Sequence, residues 1–239
     1  MGKNGISISQ RLHADLGKII AETPPGKRLL TEPELAKQLN VSRATLREGM
    51  RAYEIQGLIY RRQGSGTYVI HPSQVIDTGM EVLESMETIS KRIGLEISIG
   101  DLKIEHQKAS EEVAKELSIQ PDDQILHISR VIHAEGRPVA YLIDIVPDEF
   151  LRTEELETGF TGSVLDLMLN RGTPALVSSR CDINAVQAKI DIAKALRIQR
   201  GDVLLRFKAY LYANNGRVVD YSFSYFLPGY FNFHVIRRV

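Results

Sequence analysis

The sequence predicts an α+β protein in two parts: an N-terminal winged helix-turn-helix domain joined to a C-terminal mixed α/β domain. Three observations carry this expectation. Between Leu29 and Ile70, two capped helical patterns and a tight turn lead into a glycine-tipped hairpin. Charge is unevenly divided, although the 239-residue chain is neutral overall: residues 1–72 hold eleven Lys/Arg and six Asp/Glu, the remainder nineteen and twenty-four. Such asymmetry points to a nucleic-acid-binding piece attached to something else. Finally, residues 113–141 recur in outline as residues 192–221, in strand-rich sequence.

Taken in order, Ile8, Leu12, Leu16, Ile19 and Ile20 fall at helical spacing and predict a first helix, which Thr23-Pro24-Pro25-Gly26 breaks. Lys27 and Arg28 follow, where a basic side chain could approach DNA or simply be solvated. Thr31 with Glu34 three residues on forms a capping box, and Asn40 tolerates the left-handed conformation at a helix end. Ser42 is a second N-cap only two residues later. Helices joined by so short a turn must cross steeply. On the second, Leu46, Gly49, Met50 and Tyr53 form the inward stripe, while Arg43, Arg47 and Arg51 line the opposite face. Gly57 ends it, and Leu58–Arg62 and Thr67–Ile70 read as strands around Gln63-Gly64-Ser65-Gly66. That hairpin is the wing, carrying Arg61, Arg62 and Gln63 toward a phosphate backbone. An isolated arginine stripe reads as a solvated face. Here caps, turn, helix and wing agree in order and spacing, and DNA binding is the better reading.

The run NVSRATLREGMRAYEIQGLIYRRQGSGTYV resembles the winged-helix signature of the GntR family of bacterial transcription regulators. The resemblance implies DNA contacts at Ser42, Arg43, Thr45 and Arg47, with Gln63 and Gly64 on the wing; Arg51 and Arg62 extend the same surfaces. Two positions depart from the family pattern. Pro33 stands where the family often has a DNA-touching arginine, and Gly49 replaces a common alanine. That glycine should cost the helix roughly 1 kcal/mol unless close packing compensates.

After the wing, His71-Pro72-Ser73 marks a boundary, and a helical segment is expected from about Ser73 to Ile93, with Val75, Val82, Leu83 and Met86 as its apolar positions. The domain expectation is therefore 1–72 for the winged helix, 73–87 for a linker and 88–239 for the second domain. Within the latter, the repeat pairs Ala114 with Ala193, Leu117 with Leu196, Asp123 with Asp202 and Gly136 with Gly216. Each copy reads as a short helix, a strand, a glycine turn and a second strand. Two copies are too few for a solenoid. They can pair into one pseudo-symmetric sheet, with a ligand cleft near the pseudo-axis.

This half resembles the UTRA domain, the effector-binding partner of the winged helix in the HutC subfamily of GntR regulators. The features that match are the Leu before a Pro-Asp or Gly-Asp turn, the Gly-Arg-Pro-Val hairpin at 136–139, and the closing DYSFSYFLPGYFNFHVIRR. The resemblance implies a chorismate-lyase-like α/β fold over roughly residues 88–236. It also implies an effector site at Arg130, His133, Ser163 and Asp220, with Thr88 and Ser90 at the start of a closing loop. An arginine inside an apolar strand needs a partner, and its planar fork suits a phosphate or carboxylate; a structural salt bridge is the plainer alternative. His133 could weaken such a site or be an ordinary half-buried histidine, and Ser163 could simply cap a helix. FLPGYFNF replaces the polar run usual in relatives, which suggests an aromatic pocket near Tyr221, Tyr225 and Phe226.

The partners expected are double-stranded DNA with a palindromic operator, a second copy of the chain, and a small-molecule effector for which an anionic group is one expectation. No cofactor and no metal site is expected. Catalysis is set aside because no nucleophile–base pair, metal cluster or glycine-rich phosphate loop supports it. His127 and His133 without a third ligand are weak evidence for a metal. A constitutive DNA binder whose second domain only dimerises is the alternative. The lone Cys181 and the lack of a long apolar run fit a cytoplasmic protein without membrane spans.

Overall fold

The computed structural model describes residues 8–55, 57–62, 64–70 and 76–237. The chain falls into two compact units, Met1–Val75 with Pro228–Asn232, and Ile76–Leu227 with Phe233–Val239.

In the first unit, helices α1 (Ile8–Glu22), α2 (Glu32–Gln38) and α3 (Arg43–Ile55) precede the hairpin β1 (Ile59–Arg62) and β2 (Gly66–Val69). Glu34 accepts both the amide (2.9 Å) and the hydroxyl (2.6 Å) of Thr31, which fixes the start of α2. Asn40 adopts φ 52°, so the α2–α3 turn closes through the left-handed conformation. The inward stripe buries Leu46, Met50 and Tyr53 against Leu12, Leu16 and Leu35. Gly49 is the reason α1 comes so close: a Cβ there would lie 2.9 Å from the Leu12 side chain. Close packing is thus the compensation for its poor helix propensity. In the wing, Ile59 opposes Val69 and Arg62 opposes Gly66, so β1 starts one residue later than the pattern suggests at Leu58 and β2 one residue earlier than at Thr67.

The second unit is a six-stranded antiparallel sheet whose strands stand in the order β4 (Ile97–Lys108), β5 (Gln124–Ala134), β6 (Arg137–Pro147), β9 (Val218–Phe226), β8 (Val203–Ala213) and β7 (Leu176–Gln187). The repeat explains that order. β4, helix α5 (Glu111–Leu117), β5 and β6 form one half; β7, helix α8 (Ile190–Ala195), β8 and β9 form the other, and β6 meets β9 at the pseudo-axis. Matched residues do matched work. Asp123 accepts the Gln120 amide at 2.8 Å and Asp202 the Gln199 amide at 2.9 Å, while Gly136 and Gly216 turn at φ 77° and 78°. Ile125, Ile145 and Tyr221 pack with Ala114 and Leu117 of α5. Leu126, Ile128 and Val146 alternate to the opposite side, with Leu156 of α6 (Thr153–Gly159) and Val164 and Met168 of α7 (Val164–Arg171).

The continuous helix expected over 73–93 does not form. Residues 73–75 lie outside the described residues; Ile76–Gly79 is a strand, β3, paired with β10 (Phe231–His234), and only Met86–Ile93 is helical, α4. The physical reason is a change of period. Ile76 and Thr78 are both buried at strand spacing, whereas Val82 and Leu83 are exposed and supply no helical stripe. Helix α4 begins afresh at Ser85, whose hydroxyl accepts the Thr88 amide at 2.9 Å, and ends at left-handed Gly94. Residues 76–87, read from sequence as linker, belong to the second unit.

Candidate functional site

In the first unit, Ser42 starts α3 by accepting the Thr45 amide at 3.1 Å, and the two hydroxyls lie 2.8 Å apart. The same hydroxyls face outward with Arg43 and Arg47, both exposed, and Arg51 lies one turn further along, partly exposed. Glu32 of α2 ties helix to wing: its carboxylate takes the Arg47 Nε at 2.7 Å and lies 3.6 Å from the Arg61 guanidinium. With Arg47 62% exposed, this pair is worth little to stability and can yield to a phosphate. Gly64 holds the wing tip at φ 74° and Arg62 is exposed beside it; Gln63 lies outside the described residues. At Gly66 (φ 125°) a Cβ would meet the Arg28 guanidinium at 2.5 Å, so Arg28 rests on the wing. Helix, turn and wing thus present one cationic surface of the kind that enters a major groove and its flanking phosphates.

In the second unit a cavity of about 480 Å³ opens on the α7 side of the sheet. Strand alternation decides who enters it. Arg130 on β5, Leu142 and Asp144 on β6, and Asp220, Ser222, Ser224 and Phe226 on β9 all occupy even positions and line it. Arg130 is 4% exposed and pairs with Asp144, its diagonal neighbour across β5 and β6. Its Nε, Asp220 Oδ1 and Glu87 Oε1 are buried without a hydrogen-bond partner. Glu87 comes from α4 and is 7% exposed; burial pushes its carboxyl up, with Arg130 opposing in part. Asp220, 6% exposed, is held well above the usual carboxylate range by burial and then by the Asp144 charge, against the Ser222 hydroxyl and Arg130. Burial also pushes the Cys181 thiol, on the β7 wall, up to about 11.

The structure gathers some of the sequence-predicted residues and disperses others. Arg130, Ser163 and Asp220 meet in this cavity. Ser163 also caps α7, accepting the Asp166 amide at 3.0 Å, so its two readings coexist. Thr88 and Ser90 sit on α4 outside the lining, and Ser90, fully buried, donates to the Glu87 carbonyl at 2.9 Å. Tyr225 and Tyr221 are one residue out of phase with the lining positions of β9, so of the aromatic trio only Phe226 enters. His133 packs against Gly100 of β4 instead, and burial lowers its basicity. Sequence reasoning missed Glu87, Asp144, Ser222 and Ser224. For the last two the signal was present: DYSFSYF alternates polar and aromatic, putting Asp220, Ser222 and Ser224 on one face.

Fold and sites together define a winged-helix DNA-binding protein with a separate small-molecule-binding domain. Residues 7–69 match the bacterial regulatory proteins of the gntR family and residues 93–232 match the UTRA domain; the chain belongs to that family. It is 28% identical to the HTH-type transcriptional repressor NagR of Bacillus subtilis over 221 residues, 91% of this chain and 89% of that one. It is 26% identical to the histidine utilization repressor of Pseudomonas putida over 185 residues, covering 76% and 72% of the two chains. The crystal structure of PhnF from Mycobacterium smegmatis shares the fold, with TM-score 0.65 at 21% identity over 95% of this chain and 99% of that one. Like its relatives the chain is a DNA-binding transcriptional regulator with an effector-binding domain, and not an enzyme. No helix among the described residues is long and apolar enough to cross a membrane.

Proposed function

We propose that the protein is a cytoplasmic, homodimeric repressor of a metabolic or transport operon, and that a small molecule filling the second-unit cavity releases it from a palindromic operator. The observation that carries this reading is the cavity itself: three ionisable side chains, each more than nine-tenths buried, each leave an oxygen or nitrogen without a partner there. Groups buried and unsatisfied in a free protein are what a ligand completes. A domain serving dimerisation alone has no use for them. Two copies of the Arg43–Arg51 helix would read two half-sites about one helical turn apart. Effector binding favours a dimer geometry that no longer fits that spacing, and the coupling is reciprocal.

The test is fluorescence anisotropy on DNA flanking the protein's own gene, with the dimer checked by sedimentation. Arg47→Ala should weaken specific binding about 5- to 150-fold, the range of one base contact worth about 1–3 kcal/mol. It should leave the melting temperature unchanged, because the Glu32 pair is exposed. Arg43→Ala and Arg47→Ala proteins that both bind the fragment as tightly as the parent would remove the helix from the interface.

A further inference from the structure

We propose that the cavity takes an organic cation, a small polar molecule bearing a protonated amine, in preference to a phosphorylated or otherwise purely anionic compound. The inference rests on the ligand-gated reading above and names the class of ligand. The argument is a balance of buried charge. Glu87, Asp144 and Asp220 face a single guanidinium, Arg130, and that guanidinium already holds Asp144. Asp166, hydrogen-bonded by the Ser85 hydroxyl at 2.6 Å, adds a further carboxylate beside Glu87. An incoming phosphate would meet a guanidinium whose Nη1 is already committed to Asp144. It would also press these buried carboxyls further from ionising, since each one that ionised would repel it at low dielectric.

An ammonium group meets the opposite situation. It carries three donors and no acceptor. Glu87 Oε1 and Asp220 Oδ1 each offer a buried, unpartnered acceptor oxygen to it. Burial of both residues leaves these carboxyls reluctant to ionise alone, and a cation arriving between them removes the penalty. The cation is organic because, among the described residues, no three acidic, imidazole or thiol side chains converge on a metal position. The rest of the wall suits such a molecule. Ser179, Ser222 and Ser224 offer hydroxyls, and Phe207, Phe226 and Phe233 pack together with ring centroids 4.5–5.0 Å apart as an apolar end that can cover its carbon skeleton.

The experiment is a thermal-shift and calorimetric comparison of matched triads on the full-length protein. Glucosamine, glucose and glucose 6-phosphate form one; a diamine, the corresponding diol and the corresponding dicarboxylate form another. We expect amine-bearing members to stabilise the protein and their neutral and anionic counterparts to do so at least ten-fold more weakly. Asp220→Asn and Glu87→Gln, which remove the ionisable carboxyl without changing shape, should each weaken the amines at least ten-fold; two variants guard against one failing to fold. Stabilisation by the anionic members alone, with affinity raised in Asp220→Asn, overturns the inference while leaving a ligand-gated cavity standing. Stabilisation by no member of any class overturns the inference and the ligand-gated reading together.

Discussion

Arg130→Met is the perturbation whose cost the structure sets most directly. The side chains of Arg130 and Asp144 are 5% and 11% exposed, and each is the other's ion-pair partner. Building two charges into such a site is expensive, but removing one partner costs more than the pair contributes, because the remaining charge is stranded. Breaking a buried pair in this way costs about 3–5 kcal/mol. For a protein of this size each kcal/mol moves the melting temperature by about 2–4 °C, so the second unit should melt about 6–20 °C lower. Asp144 is then left buried without its guanidinium partner. The double variant Arg130→Met/Asp144→Leu replaces the pair with apolar side chains and should recover most of the loss. Urea unfolding of the parent, both single variants and the double variant closes a double-mutant cycle. A double variant no more stable than Arg130→Met would refute the assignment of Asp144 as the partner on which Arg130 depends.

Three further outcomes follow from particular positions. Asp220→Asn should stabilise the ligand-free protein near pH 8 and lose that advantage toward pH 4.5. The sign follows from linkage: a carboxyl whose pKa is raised on folding binds more protons in the native state, so stability falls as pH rises from the unfolded value through the folded one. Differential scanning fluorimetry across that range checks it, and a pH-independent difference would sink it. Gly66→Ala places a Cβ at φ 125° and against Arg28, which should cost about 1–3 kcal/mol and loosen the wing, visible as faster hydrogen exchange at Tyr60 and Tyr68 with α2 and α3 unaffected. Leu46→Ala empties a fully buried position between the three helices and should cost about 2–5 kcal/mol, enough to unfold a small unit at growth temperature.

Much of the fold was legible because its signals are local. Thr31 with Glu34, Asn40, Ser42 and Gly57 mark helix ends within a few residues of themselves, and the inward stripe of α3 needs only helical spacing. The repeat foretold two halves sharing a sheet, and its paired Asp123/Asp202 and Gly136/Gly216 make equivalent turns. The segment over 73–93 is not legible locally: its scattered apolar residues fit a helical period, while the buried pair Ile76 and Thr78 follows strand period. In the cavity, Arg130 stood out as a charge inside an apolar strand. Glu87 did not, since nothing in METISKRI tells that this helix folds back onto β5 and β6 from more than forty residues away. Tyr225 illustrates the narrowest failure: on a strand, one residue of phase moves a side chain to the other face.

The linkage between the two sites tests the central claim most directly. Operator affinity of the full-length protein should be measured by anisotropy with and without the amine compound that stabilises it most, and that compound's affinity by calorimetry with and without operator. The account predicts that each weakens the other by the same factor, about 5- to 150-fold for a coupling of about 1–3 kcal/mol. A compound that fills the cavity, loses affinity in Asp220→Asn, and leaves operator binding unchanged would contradict it.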